Sequence, residues 1–199
     1  MICPMKTVAW DVDDVLNSLM REWFKDLITN SQRKIKISYD QLSENPPNEL
    51  LGMTLNQYHV SLDEFRLSGR YERLEPTGEI LNWFNAYGHC CRHLALTAVS
   101  LAAAPISSAW VLKHFGKWIR TFHFVPSMRV EEVIPVYDRS KADFIGWHGK
   151  IDILIDDNPE HIEQAAHIGI QDILITQPWN AGKMDLSETL ASLTRAIFN

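Results

Sequence analysis

The chain has 199 residues, 46% hydrophobic and 22% charged, which suits one globular domain or one domain with a modest insert. A formal net charge of −6 gives no support for duplex nucleic acid or an anionic membrane as partner. Cys3, Cys90 and Cys91 are odd in number and two are adjacent, so a disulfide framework is not expected and a reducing cytosol is. Only six residues precede the first apolar run, too few for a signal peptide, so the expected location is cytoplasmic.

Lys6 to Asn17 reads KTVAWDVDDVLN, an apolar strand that stops abruptly at Asp11, Asp13 and Asp14. Residues two apart on extended backbone point the same way, so Asp11 and Asp13 can face one site. Like charges gathered at a strand end cost free energy unless a cation neutralises them, and a hard ion such as Mg²⁺ suits carboxylates. A solvated acidic turn would also account for this triplet taken alone.

From Ser18 to about Asn30, Leu19, Trp23 and Leu27 recur at helical spacing, with Met20, Phe24 and Ile28 beside them. A basic stretch (Arg33, Lys34, Lys36) and a turn around Asn45-Pro46-Pro47 follow. Two short helices are then predicted, near Glu49–His59 and Ser61–Ser68, closing at Gly69. Residues 17–75 carry no strong strand signal and read as a mainly helical insert, leaving 1–16 and 76–199 as the core.

Beyond Pro76 helix and strand alternate. Helices are predicted at Thr77–Tyr87, Pro105–Phe115, Ser140–Trp147, Pro159–His167 and Leu186–Phe198. Strands are predicted at His93–Val99, Thr121–Val125, Glu132–Tyr137, Ile151–Ile155 and Asp172–Thr176. Leu94–Leu112 lacks charge and is long enough to resemble a membrane span. Its Thr, Ser and Ala content and Pro105 favour a buried strand, a loop and a helix instead. The alternation predicts an α/β fold, a mainly parallel Rossmann-like sheet with helices on both faces.

Thr97, Lys141 and the pair Asp156-Asp157 then fall at or just after strand ends. Each has a plain structural explanation: a backbone cap, a surface lysine, a turn opening a helix at Pro159. In a parallel sheet, however, all the carboxyl ends share one edge, so these groups converge with Asp11 and Asp13. Phosphoryl transfer uses such a set, with a carboxylate nucleophile, a second acid for the leaving oxygen, and hydroxyl, ammonium and metal for the phosphoryl charge.

In this order, Asp11-Val12-Asp13-Asp14-Val15, Thr97, Lys141 and Asp156-Asp157 resemble the four motifs of the haloacid dehalogenase-like superfamily, with the insert placed as that superfamily's small C1-type cap. The resemblance implies Asp11 as nucleophile, Asp13 as general acid/base, and Thr97 and Lys141 as phosphate ligands. It also implies Mg²⁺ held by Asp11, the Asp13 carbonyl and one or both of Asp156 and Asp157. Dehalogenase members lack an acid at the position of Asp13, so the implied activity is a phosphatase acting on a small phosphorylated metabolite.

Three local features resemble the 5'(3')-deoxyribonucleotidase branch: DVDDVLN running into an aromatic helix, LIDDNPEH, and Gln177-Pro178-Trp179-Asn180. They imply a nucleoside monophosphate, although Asp14 stands where that branch often has glycine. Two other classes share parts of the pattern, a receiver-like signalling protein and a phosphate-binding protein that does not hydrolyse. In a receiver, Lys would close the chain, whereas here Lys141 precedes Asp156-Asp157. The residues expected to be structural are His161 on a helix surface, Trp23 and Phe24 in the insert core, Cys90-Cys91 in packing, and Ser100 in a loop. Arg21, Lys25, Arg66 and Arg70 are the insert cations expected to face a leaving group.

Overall fold

The computed structural model describes residues 5–30, 35–130 and 133–198. Arg33, Lys34, Cys3 and Glu132 lie outside the described residues. Five parallel strands form one sheet in the order β3-β2-β1-β4-β5. They are β1 (Thr7–Trp10), β2 (Arg92–Val99), β3 (Ile119–Pro126), β4 (Ile153–Asp156) and β5 (Gln171–Leu174).

β1 is central and buried on both faces, which is why Val8, Ala9 and Trp10 form an unbroken apolar run and do not alternate. Trp10 Nε1 donates to His93 Nδ1 at 3.0 Å, and His93 Nε2 donates to the Gly88 carbonyl at 3.0 Å. Burial brings His93 down to about 4, with the Gly88 carbonyl opposing, so it is a neutral link between β1 and β2.

Seven helices accompany the sheet among the described residues. α1 (Leu19–Asn30) and α2 (Leu55–Leu67) precede α3 (Gly78–Tyr87) and α4 (Ala104–Phe115). α5 (Lys141–His148), α6 (Pro159–His167) and α7 (Leu186–Phe198) complete the chain. One face of the sheet packs Val8, Trp10 and Ile155 with Trp83, Phe84 and Leu193; the other packs Ala9, Leu96 and Leu154 with Phe144, Ile145 and Ala165. Trp23, Phe24, Tyr58 and Phe65 of the insert join the first of these clusters, so the insert and the sheet share one apolar core.

Two predicted elements differ. Over residues 49–68 the insert has one helix, α2, where two were expected. Gly52 turns the chain with φ +61°, and Thr54 then starts the helix through a reciprocal cap with Gln57. No strand forms over Val133–Tyr137, the described part of the one predicted at Glu132–Tyr137. Pro135 lacks the N–H a ladder needs, and Val133 and Tyr137 are 99% and 90% exposed, so no face of this segment is buried. No helix among the described residues is long and apolar enough to cross a membrane, and α4 starts at Ala104 with Pro105 in its first turn.

Candidate active site

The turn after β1 carries the site. Asp11 N donates to the Ile155 carbonyl of neighbouring β4 at 2.9 Å, fixing the start of the turn. Asp13 is extended, Asp14 is left-handed with φ 63°, and Asn17 N closes the turn on the Val12 carbonyl at 3.2 Å. Left-handed backbone explains why glycine suits the position of Asp14. Here the side chain compensates: its buried carboxylate accepts from Met20 N at 2.9 Å and anchors the first turn of α1.

β1 and β4 are adjacent, so Asp11 meets Asp156 and Asp157. Carboxylate oxygens of these three residues lie within 4.8 Å of one another, and all three residues are buried. Lys141, at the start of α5, is 1% exposed and reaches Asp156 Oδ2 at 2.6 Å and Asp11 Oδ1 at 2.9 Å. With all three carboxyls ionised, one ammonium would leave two negative charges, which matches a hard divalent cation and its oxygen donors. Asp156 is otherwise saturated: Oδ1 accepts from Asn158 N at 2.9 Å, and His161 Nδ1 sits 3.1 Å from Oδ2. Asp157 accepts from Trp179 Nε1 at 2.9 Å through Oδ2 alone.

The electrostatics follow from this sharing. Burial opposes charge on Lys141, but Asp11 and Asp156 outweigh it and raise the ammonium above its ordinary value. Burial would also raise Asp156; Lys141 and His161 outweigh it and bring the carboxyl down to about 2. On Asp11 burial prevails, because Lys141 also serves the closer Asp156, whose negative charge adds to the rise. Asp157 is pushed well above the ordinary carboxylate range by burial and by Asp156, Asp11 and Asp14.

Asp13 and Thr97 face the same cavity of about 230 Å³ as Asp11. Thr97 is a buried residue inside β2, two residues before its end, and among the described residues its hydroxyl makes no hydrogen bond. The Asp13 carboxylate belongs to a different network from the other acids. Its Oδ2 accepts from Arg66 of α2 at 2.7 Å, and its Oδ1 accepts from Tyr71 Oη at 2.7 Å and Asn17 Nδ2 at 3.1 Å. Asp63, one turn before Arg66, accepts from Arg129 at 2.6 and 3.0 Å and from Ser100 Oγ at 3.2 Å. These bonds fasten the insert to the carboxyl edge.

Several sequence expectations change. His161 is not a free surface residue; it touches Asp156 and lines the cavity. Ser100 holds Asp63, so it too has a partner. Of the four insert cations only Arg66 arrives, since Arg21, Lys25 and Arg70 pair with Asp40, Glu22 and Asp26. Trp23 and Phe24 are core, as expected. Arg129, Tyr71 and Asp63 were missed. Gln177, Trp179 and Asn180 form a scaffold: Gln177 Nε2 donates to the Asp14 carbonyl at 2.7 Å, and Asn180 Nδ2 donates to the Asp157 carbonyl at 2.8 Å.

No protein-family model matches the sequence, and no curated protein matches it. Solved structures do match the fold. A protein assigned as a phosphoglycolate phosphatase from Lactobacillus delbrueckii subsp. bulgaricus superposes with a TM-score of 0.60 at 11% identity, covering 97% of this chain and 98% of that one. A haloacid dehalogenase-like family hydrolase from Xanthomonas campestris gives 0.58 at 12%, covering 98% and 92%. An L-2-haloacid dehalogenase gives 0.54 at 14%, covering 96% and 99%. The likeness spans the insert as well as the sheet and establishes a shared fold.

Proposed function

We propose that the protein is a divalent-metal-dependent phosphatase that hydrolyses a small phosphorylated metabolite through an aspartyl phosphate on Asp11. The observation that carries this reading is the pairing of a metal-suited carboxylate triad with Asp13 on one small cavity. Structural neighbours include both a protein assigned as a phosphatase and a dehalogenase, and the acid at position 13 favours the phosphatase.

Asp11 Oδ1 is taken by Lys141 and by Val12 N at 2.8 Å, which leaves Oδ2 for attack on phosphorus. As that bond forms and the ester P–O bond breaks, Asp13 gives its proton to the leaving oxygen. It then takes a proton from the water that attacks phosphorus, and Asp11 is regenerated with release of phosphate. Thr97 and Lys141 hold phosphoryl oxygens. Asp11, the Asp13 carbonyl and Asp157 would hold a Mg²⁺, which when bound would supply positive charge against the phosphoryl oxygens and favour the ionised form of Asp11. Asp156, saturated by protein donors, serves mainly to place Lys141 and His161.

Asp13→Asn should lower kcat by roughly 10²–10⁴-fold, the range for losing a general acid/base. Calorimetric Mg²⁺ titration should show much less loss of metal affinity in Asp13→Asn than in Asp157→Asn. Equal losses would mean the two roles are misassigned.

Residues 17–75 act in this reading as a cap that selects the leaving group while the sheet carries the chemistry. The shared apolar core makes outright deletion a poor test, whereas Asp63→Asn weakens the polar fastening to Arg129 and Ser100 and the 3.3 Å contact with Arg66, while the 2.7 Å pair between Arg66 and Asp13 keeps both of its partners. Hydrolysis of a simple aryl phosphate should be largely spared, while the ranking among natural phosphates flattens, chiefly through higher KM. An unchanged ranking would place specificity in the core loops.

A nucleoside monophosphate is the finer reading of the substrate. The cavity of about 230 Å³ has room for a phosphate with a small organic group, and Tyr58 and His59 are cap rings on its lining. A screen of phosphorylated metabolites with Mg²⁺ decides: nucleoside monophosphates at the top support this reading, and a lead by phosphorylated acids or sugars rejects it.

A further inference from the structure

The opposite, amino-terminal edge of the sheet carries a larger concavity of about 1010 Å³. It forms where β1 and β2 begin side by side, Thr7 opposite Arg92, and where α5 ends at His148. Lys6, Arg92, Lys117, Arg120 and Lys150 line it, against Asp152 as the one carboxylate. The chain as a whole carries more acids than bases, so this concentration runs against its composition.

Among the described residues, no salt bridge neutralises these charges. Asp152 accepts the backbone N–H of Thr7 at 2.7 Å. Lys6 donates to the Ala196 carbonyl near the end of α7, Arg120 to the Lys117 carbonyl at 3.4 Å, and the Lys117 ammonium lies over the Trp118 ring at 5.0 Å. Among the described residues, no ion pair joins any of the five to a carboxylate, whereas the exposed insert cations Arg21, Lys25 and Arg70 each have one. His148 Nδ1, also on the lining, is buried with no hydrogen-bond partner.

Unpaired like charges held around a concavity repel one another, and an anion that enters would relieve that repulsion. We propose that this cleft is a second binding site, distinct from the Asp11 cavity, for a small molecule bearing several phosphoryl groups. Its concave form and ligand-sized volume favour a small molecule over an extended macromolecule. The proposal is independent of the hydrolytic reading.

Inorganic tripolyphosphate, titrated into the full chain in Mg²⁺-free buffer and followed by backbone amide NMR, tests it. Shifts should gather at Thr7, Gly88, Arg92, Trp118 and Gly149, and affinity should fall steeply with added salt. The combined variant Arg92→Gln, Lys117→Gln, Arg120→Gln, Lys150→Gln should weaken binding by roughly tenfold or more, as several exposed charge contacts are lost together. Its hydrolysis of an aryl phosphate should be retained, which also shows that it is folded. Shifts confined to Asp11–Asp14 and Ala98, unchanged affinity in the variant, or no binding to the wild type at millimolar tripolyphosphate would overturn the proposal. Tighter binding of a single-stranded oligonucleotide at equal phosphate concentration would overturn it too, assigning the cleft to nucleic acid.

Discussion

Asp11→Asn should lower turnover of an aryl phosphate by roughly 10⁴-fold or more, the scale of losing a nucleophile whose partners remain in place. An amide is a poor nucleophile and a weak ligand for a hard cation. The substitution is nearly isosteric, and the Asn Oδ1 can still accept from Val12 N and Lys141. It also removes one of three buried carboxylates that share a single ammonium, and burial already pushes Asp11, like Asp157, toward its neutral form. The ion-free variant should therefore melt no lower than the wild type. Thermal denaturation in chelator, measured beside kcat, separates lost chemistry from lost fold. Substantial activity in this variant would remove Asp11 from the reaction.

Lys141→Met should be the most damaging single change to stability, by about 3–5 kcal/mol in chelator, because it strands two buried carboxylates. Methionine fills most of the lysine volume, so the effect is electrostatic rather than a cavity. The sign with pH is a second check. In the wild type Asp156 is depressed to about 2 from an ordinary 3.8, so its contribution is present above pH 3.8 and fades as pH falls toward 2. Without Lys141 the largest influence on Asp156 is burial, which raises it. Stability that was lost on acidification should then be gained: the variant should be more stable at about pH 5 than at pH 7. Mg²⁺ should restore part of the loss at pH 7 by replacing the missing positive charge. Urea unfolding at both pH values, with and without Mg²⁺, measures this. Equal stability of variant and wild type in chelator would show that Lys141 does not hold the acids together.

The fold was legible because it rests on local signals. Val8–Trp10 and Ile153–Ile155 are apolar runs of the kind a doubly covered parallel strand requires, and Pro105 and Pro159 mark helix starts. The meeting of Asp11, Asp13, Thr97, Asp156 and Asp157 was legible for a topological reason, since the carboxyl ends of β1, β2 and β4 share one edge; Lys141 joins them from the start of α5, without the strand expected before it. What escaped depends on approach between distant segments. Arg129 and Asp63 are 66 positions apart, and Tyr71 reaches Asp13 over 58. No periodicity of either segment encodes such a contact. His161 was misjudged because helical spacing placed it on a surface, while the turn at Asp156-Asp157 directs that surface into the site. Val133–Tyr137 misled in the other direction: an apolar composition suggested a strand, and Pro135 prevents the ladder.

The central claim is that phosphoryl transfer passes through Asp11. Rapid acid quenching during turnover of an aryl phosphate with Mg²⁺, then borohydride reduction and peptide mass spectrometry, tests it most directly. The account predicts reduction of an acyl phosphate at Asp11, giving homoserine at that position in wild type and none in Asp11→Asn. Turnover with no modification at Asp11, or with the trapped group on another residue, would contradict it.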